Sequence, residues 1–166
     1  MARSKLLINA RVSVRVPRAL LQRVLDETLE QFGPRAATEV SVAFVAPRSI
    51  ANLNRIYRGK RGATDVLSFS FWRGHEKTKL RPIVLGEVII APAVAEQRAA
   101  RYGHGLSVEI GLLFLHGLLH VLGLDHEKSA AGKARMRRAE AAIAGRIPAL
   151  AAVHAGQGLL VRELAA

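Results

Sequence analysis

Residues 108–122 form the segment that most constrains the fold, because VEIGLLFLHGLLHVL is apolar nearly all the way round a helix. A helix without a polar face is stable only when other elements cover it on every side, so we expect it at the centre of the molecule. The most apolar stretch, residues 110–124, is shorter than the ~20 residues that span a bilayer. We therefore predict a buried core helix and no membrane span.

The rest of the chain alternates between strand and helix patterns. Period-two alternation and β-branched residues predict strands, and apolar stripes at helical spacing predict further helices. The strands are expected at residues 11–16, 38–46, 65–72 and 85–92, and the helices at residues 17–32, 49–58, 93–102 and 129–144. Ser107 is the expected N-cap of the core helix, and Gly123 is expected to end it. The polar residues 73–82 are expected to form a loop.

The chain is long enough for one compact domain. Its 166 residues can bury a sizeable core, and 50% of them are hydrophobic. No internal repeat or linker divides the sequence. We therefore predict a single α/β (α+β) domain over residues 1–147, followed by a tail at residues 148–166 to which the sequence assigns no structure or role.

The charge of the chain favours a polyanionic partner. The chain has 25 Lys and Arg against 13 Asp and Glu, a net charge of +12. Such a charge attracts nucleic acid or an anionic membrane surface, although it could also serve only to keep the protein soluble. At the N-terminus, Arg11 and Arg15 interrupt the apolar residues that a signal peptide would need. We therefore expect a soluble cytoplasmic protein.

Three of the six histidines lie close together in HGLLHVLGLDH, residues 116–126. His116 and His120 are four residues apart, so on a helix they lie on one face. Gly123 lets the chain leave the helix and turn sharply, which can bring His126 over the other two. Zinc prefers nitrogen ligands, and three protein ligands leave a fourth position open, as in catalytic zinc sites. We predict one zinc ion per chain; the alternative is three histidines packed in the core without a metal.

The same spacing occurs in a long zinc-protease motif, in which a glutamate after the first histidine is the general base. Gly117 stands at that position here. Without the carboxylate, the helix supplies no proton acceptor for peptide hydrolysis. The chain also contains no cysteine, which excludes thiolate ligands and disulfides. The pattern therefore favours a metal site made of imidazoles and disfavours a protease.

The histidine segment resembles the signature of the YbeY family of bacterial metallo-endoribonucleases, which process ribosomal RNA. LNRIYRGKRGATDVLSF and LGEVII resemble its two other recognisable stretches, in the same order. The resemblance covers roughly residues 6–144. It implies a small mixed four-stranded sheet covered by about five helices, with zinc held at a buried helix and the turn after it by His116, His120 and His126. It also implies that Arg58 lies in the cleft.

The resemblance further implies a role in maturing the 3′ end of 16S rRNA and in ribosome quality control. An rRNA precursor and the small ribosomal subunit are therefore expected partners. The chain departs from the family pattern at residues 61–63, where an acidic residue, a variable one and a proline are more usual. Ser70 replaces a proline, and Glu87 replaces an aspartate. The loop after Lys60 is therefore expected to be looser and more basic than in typical members.

Phosphodiester cleavage needs an activated nucleophile and a cation that neutralises charge on the phosphoryl oxygens. Zinc bound by the three histidines can supply hydroxide near neutral pH. We assign the second task to Arg58, because its planar guanidinium matches two phosphate oxygens. The expected catalytic residues are therefore Arg58, His116, His120 and His126.

A basic run and two aromatic side chains are expected to contact the RNA. The predicted substrate-binding residues are Arg55, Tyr57, Lys60, Arg61 and Trp72. Single-stranded RNA is held by such combinations of cationic groove and stacking faces. We predict single-stranded RNA as substrate, and neither DNA nor a membrane as partner.

Several other side chains receive structural roles or none. Phe69 and Phe71 alternate along a predicted strand, which favours core packing over base stacking. Asp125 either orients a ligand histidine or caps the turn. The histidines without partners at metal-ligand spacing are expected at the surface: His75, His104 and His154.

Three functions remain open from the sequence alone. The leading one is a zinc-dependent endoribonuclease acting on single-stranded RNA. The second is a non-catalytic RNA- or ribosome-binding assembly factor whose zinc is structural. The third, a metallohydrolase acting on a small or peptide substrate, is weakened most by the glycine at position 117.

Overall fold

The computed structural model describes residues 4–74 and 82–157 and contains one small α+β domain. Its four strands are β1 (Ser4–Ala10), β2 (Thr38–Phe44), β3 (Val66–Ser70) and β4 (Ile83–Ile90). Its six helices are α1 (Arg18–Phe32), α2 (Pro47–Arg58), α3 (Pro92–Tyr102), α4 (Leu106–Val121), α5 (Ala130–Ala144) and α6 (Pro148–Gln157). Most of the expected loop at residues 73–82, including His75, and the end of the tail lie outside the described residues.

The sheet is mixed and has the strand order β1-β2-β4-β3. Strands β1, β2 and β4 are parallel, and β3 runs antiparallel to β4 at the edge of the sheet. The main core lies between one face of the sheet and helices α1, α4, α5 and α6. A smaller core lies on the other face, under α2. The predicted fold class, a mixed four-stranded sheet covered by helices, is confirmed.

Helix α4 is the central element, as its composition predicts. Twelve of its 16 residues are buried, and it contacts the sheet as well as α1, α3, α5 and α6. A Cβ atom at Gly117 would lie 2.7 Å from Cγ1 of Val88 on β4, so the glycine lets the helix lie directly against the sheet. No single helix among the described residues is long and apolar enough to cross a membrane. Helices α3 and α4 pass that test only as a pair, and they are bent by 110° relative to each other.

The predicted strand at residues 11–16 is wrong. The first strand is instead β1, which pairs with β2 until Ala10 lies opposite Phe44. Arg11 still donates its backbone N–H to the Phe44 carbonyl oxygen at 2.9 Å, but β2 ends there. Alternate valines of this segment pack against the main core. The alternation of apolar and polar residues therefore predicts correctly which side of the segment faces the core. A strand, however, also needs a neighbouring strand to bond its backbone N–H and C=O groups.

The predicted N-cap of the core helix is also wrong. Helix α4 begins at Leu106 and its N-cap is Gly105, whose carbonyl oxygen accepts the N–H of Glu109 at 3.1 Å. Ser107 lies in the first turn and is exposed. Its hydroxyl is therefore not the cap, and the helix starts two residues before the predicted start.

The tail contains a helix that the sequence does not predict. Leu150 of α6 is fully buried, and Gly111 of α4 lets it come close: a Cβ at that glycine would lie 3.2 Å from Cδ2 of Leu150. Helix α6 therefore packs on the core helix through Leu150.

Candidate metal centre

His116, His120 and His126 lie together at the end of α4. The two helical histidines have ring centroids 4.6 Å apart, and their centroids lie 5.2 and 4.9 Å from that of His126. Gly123, with φ of 93°, makes the left-handed turn that returns the chain to the helix face. One candidate ligand atom from each residue lies within 4.8 Å of the other two. The three imidazoles can therefore bind one metal ion.

The loop that carries His126 is held by the residues on either side of it. Asp125 Oδ1 accepts the backbone N–H of Glu127 at 2.8 Å, and this hydrogen bond is the main cause that lowers the pKa of Asp125. A Cβ at Gly132, in the first turn of α5, would lie 2.2 Å from the Asp125 carbonyl oxygen. Asp125 thus caps the turn, and α5 packs directly on the loop.

The site keeps two of its histidines neutral. Burial, followed by the neighbouring His120 and His126, holds the pKa of His116 well below its ordinary value. Burial and then His126 lower the pKa of His120 to about 4. Since a metal binds the neutral imidazole, both rings are in the ligand form at neutral pH.

Glu140 is a site residue that the sequence analysis missed. It lies on α5, and its Oε1 is 2.9 Å from Nδ1 of His116, with both side chains at least 95% buried. Nε2 of His116 is buried and has no hydrogen-bond partner among the described residues. Because Nδ1 is engaged by the carboxylate, Nε2 is left as the ligand atom, and the three histidines fit a metal ion.

The sequence contains one signal for Glu140. On α5 it shares the buried face with Met136, Ala139 and Ile143, at helical spacing. A single carboxylate on an otherwise apolar helix face needs a partner, because an unpaired buried charge is costly. The partner is 24 residues away in sequence, so the pattern alone does not identify it.

A cleft of about 410 Å³ opens over the histidines. The edge strand β3 forms one wall through residues 66–69, and Tyr57 and Arg58 at the end of α2 form another. The loop after α4 contributes Asp125 and Glu127. The cleft thus lies where α2 and α4, on opposite faces of the sheet, both reach its edge.

Arg58 is in the cleft, as the resemblance implies. Gly59, with φ of 65°, ends α2 directly after it. The guanidinium of Arg58 donates a hydrogen bond through Nη2 to the carboxylate of Glu127, and the Arg58 side chain is 31% exposed. Glu127 is a second cleft residue that the sequence analysis missed. The arginine therefore faces the cleft with an anion already bound to it.

The predicted RNA-contacting residues divide into two groups. Arg55, Tyr57, Lys60 and Arg61 are exposed at the end of α2 and in the next loop, and of these Tyr57 lines the cleft. Trp72 does not line it. Its side chain packs, partly buried, against the main core, and its backbone N–H bonds the Leu85 carbonyl oxygen at 3.2 Å.

Three other aromatic residues test the sequence predictions. Phe69 packs, partly buried, against the core under α2, as expected, and its ring meets Tyr57 edge-on at 5.0 Å. Phe71 is 58% exposed, so its predicted core position is wrong. β3 has ended at Ser70, and alternation no longer decides which way the side chain points. His104, predicted at the surface, has a side chain only 6% exposed.

His104 belongs to a buried polar network beside α4. Its Nε2 bonds the Glu109 carboxylate, which also lies 3.3 Å from the guanidinium of Arg98. Arg98 in turn pairs with Asp65 at 2.7 Å, directly before β3. A partner five residues away on the helix start, rather than a metal, accounts for the burial of this histidine. The side chain of His154 lies outside the described residues.

Comparisons with known proteins decide the family. The family model described as "Endoribonuclease YbeY" matches residues 8–147. The chain belongs to the YbeY family. A YbeY protein from Pelotomaculum thermopropionicum, named "Endoribonuclease YbeY", is 41% identical over 129 residues, which cover 77% of this chain and 84% of the relative. The YbeY protein of the same name from Macrococcus caseolyticus is 42% identical over 108 residues, covering 64% and 70%.

The fold agrees with a solved structure. A solution structure of a protein from Thermotoga maritima matches with a TM-score of 0.53 and 22% sequence identity. The match covers 85% of this chain and 90% of that one. At this identity the likeness concerns the fold alone.

Proposed function

We propose that this protein is a zinc-dependent endoribonuclease that cuts single-stranded RNA. The observation that carries the proposal is a cluster of three imidazoles in a cleft beside an arginine, in a chain of the YbeY family. The proposed substrates are rRNA precursors, cut at the 3′ end of 16S rRNA, and the proposed role includes ribosome quality control in the cytoplasm. These finer parts rest on the family resemblance.

Zinc is the metal we assign to the site. Its preferred ligands are neutral imidazole nitrogens in tetrahedral geometry, and three protein ligands leave one position for water or substrate. When bound, zinc activates water as a nucleophile and polarises a phosphoryl oxygen. The chain's own contribution is to present three imidazoles on one side of the cleft, two of which, His116 and His120, are kept neutral by burial.

Arg58 is the proposed electrostatic partner of the phosphate. Its guanidinium can hold two phosphoryl oxygens at once and neutralise the charge that develops on them. In the present structure it holds the Glu127 carboxylate. A phosphodiester that enters the cleft therefore exchanges one anion for another at Arg58, while Glu127, 55% exposed, can turn to solvent.

The rim of the cleft favours single strands. Tyr57 is 64% exposed, and its ring is supported edge-on by Phe69. An exposed, supported ring can stack on an unpaired base, whereas the bases of a duplex already stack on each other. Lys60 and Arg61 are exposed beside it and can contact the backbone phosphates.

The Arg58–Glu127 ion pair favours one second candidate. If Glu127 stays on Arg58 when RNA is bound, the cleft binds RNA without neutralising a reacting phosphate. The protein would then be an RNA- or ribosome-binding assembly factor with a structural zinc. Both candidate functions include RNA binding, but only the first includes RNA cleavage.

The test is cleavage of a labelled single-stranded RNA and of its duplex by nuclease-free, zinc-loaded protein. His116→Ala should reduce cleavage to background, and Arg58→Glu should reduce it by about 10²-fold or more, the usual effect of losing one charge-stabilising group. Arg137→Gln, on the exposed face of α5, is the control and should cut like the wild type. Equal cleavage by all four proteins would indicate a contaminating nuclease, and binding without cleavage would favour the assembly factor.

A further inference from the structure

Glu140 is a buried carboxylate with a single partner. It is 2% exposed, and its only hydrogen bond among the described residues joins Oε1 to Nδ1 of His116. Its second oxygen, Oε2, is buried without a hydrogen-bond partner in the part of the chain that the structure describes. Glu109, the other buried glutamate in that part, has Arg98 and His104 against its carboxylate. Glu140 thus lacks the cationic partner that Glu109 has.

A neutral imidazole compensates only a small part of the free-energy cost of burying a carboxylate. Removing a charge from water is costly unless an opposite charge and further hydrogen bonds replace the water. A metal ion on Nε2 of His116 changes this balance, because it draws charge from the ring and makes Nδ1–H a stronger donor. The burial of Glu140 is therefore compensated when a cation lies on the far side of the same imidazole.

The geometry points to Glu140 as the positioning residue of the metal centre. With a metal ion bound, its carboxylate accepts a hydrogen bond from Nδ1–H of His116 and fixes the ring so that Nε2 is the ligand. It thereby raises metal affinity at the expense of the metal-free protein's stability. The inference rests on the metal-binding part of the proposed function and not on RNA cleavage.

The helix that carries Glu140 also fixes the third ligand. The first turn of α5 packs, through Gly132, against the carbonyl group of Asp125. Asp125 directly precedes His126. Two turns later, the same helix presents Glu140 to His116. Helix α5 therefore fixes His116 and His126 relative to each other, although it supplies no ligand itself.

The test compares Glu140→Leu and Glu140→Gln in the full chain. Zinc affinity is measured by competition with a chromophoric chelator, and thermal stability is measured on the metal-free protein. Glu140→Leu should weaken zinc binding by about 10- to 100-fold, the usual effect of losing such a partner. Its metal-free Tm should be unchanged or higher, since an apolar side chain replaces a buried carboxyl group whose pKa is raised by burial and whose Oε2 has no hydrogen-bond partner among the described residues. Glu140→Gln should weaken binding less, because the amide oxygen can still accept from Nδ1.

Glu109→Gln is the matched control. It removes a buried charge on α4 that does have a cationic partner, Arg98, so it should lower the metal-free Tm and leave zinc affinity unchanged. Wild-type zinc affinity in Glu140→Leu would overturn the inference. A metal-free Tm of Glu140→Leu that falls as it does in Glu109→Gln would also overturn it, because Glu140 would then only stabilise the fold.

A second measurement needs no Glu140→Leu protein. The ring nitrogen shifts of His116 in ¹⁵N NMR spectra of the zinc-loaded protein report which nitrogen binds the metal and which carries the proton. Wild type should show the metal on Nε2 and the proton on Nδ1, and Glu140→Gln should lose part of this preference. Metal on Nδ1 of the wild-type His116 would overturn the inference. A protein that binds zinc through this arrangement but leaves RNA intact would overturn the proposed function alone.

Discussion

At the scale of single residues, Gly117 links the fold to the chemistry of the site. Its position is where the related zinc-protease pattern has a glutamate. A Cβ there would lie 2.7 Å from Cγ1 and 3.1 Å from Cγ2 of Val88, which is fully buried on β4. The glycine is therefore required for α4 to approach the sheet. A side chain that could act as a base at this position has no room.

Gly117→Ala should accordingly destabilise the protein. The added methyl group meets a packed valine rather than a flexible side-chain end, so overpacking should lower the free energy of unfolding by about 1–3 kcal/mol. Urea denaturation measures the change. The control is Gly105→Ser at the N-cap of the same helix, where a Cβ meets nothing within 4 Å and serine is a favourable cap. Equal stability of Gly117→Ala and wild type would contradict the packing argument.

At the scale of elements, the sequence predicts helices with a clear apolar stripe and the glycines that end them. Helices α1, α2 and α3 and the left-handed Gly59 and Gly103 agree with the pattern. β1 is missed because strand assignment depends on a pairing partner 34 residues away in register, Ser4 opposite Thr38. The local alternation of apolar and polar residues contains no information about such a distant pairing partner.

The candidate site likewise contains residues that the sequence predicts and residues that it does not. The spacing of the three histidines within one segment predicts that they meet, because a helix and one glycine turn determine their geometry. Glu140 and Glu127 enter the site through tertiary packing of α5 on α4 and of the loop on Arg58. Contacts of this kind depend on how the elements pack. The local pattern indicates only that Glu140 lies on a buried face, and it does not identify the residue that Glu140 contacts.

The loop after α2 should carry part of the RNA affinity. Lys60→Gln combined with Arg61→Gln removes two exposed cations beside the cleft. If both contact phosphates, the salt dependence of binding to single-stranded RNA should decrease in slope by about 1.4, at about 0.7 per contact. Arg137→Gln with Arg138→Gln makes the same charge change on α5 and should leave the slope unchanged. Equal effects of the two pairs, measured by fluorescence anisotropy against salt concentration, would mean that binding follows net charge alone.

At the scale of the whole molecule, the metal site lies where three parts of the fold meet. It contains two residues of the central helix α4 and one of the following loop, and α5 packs against both. The chain as a whole carries a net charge of +12, which favours a polyanionic partner. The proposed RNA cleavage therefore depends on whether the three imidazoles hold a metal ion.

The metal content of the full chain tests this dependence most directly. Wild type and His116→Ala/His120→Ala are purified without chelators, and their metals are quantified by mass spectrometry. The account predicts one zinc ion per wild-type chain and none in the double variant. Wild-type protein without a stoichiometric metal ion, or a double variant that retains it, would contradict the account.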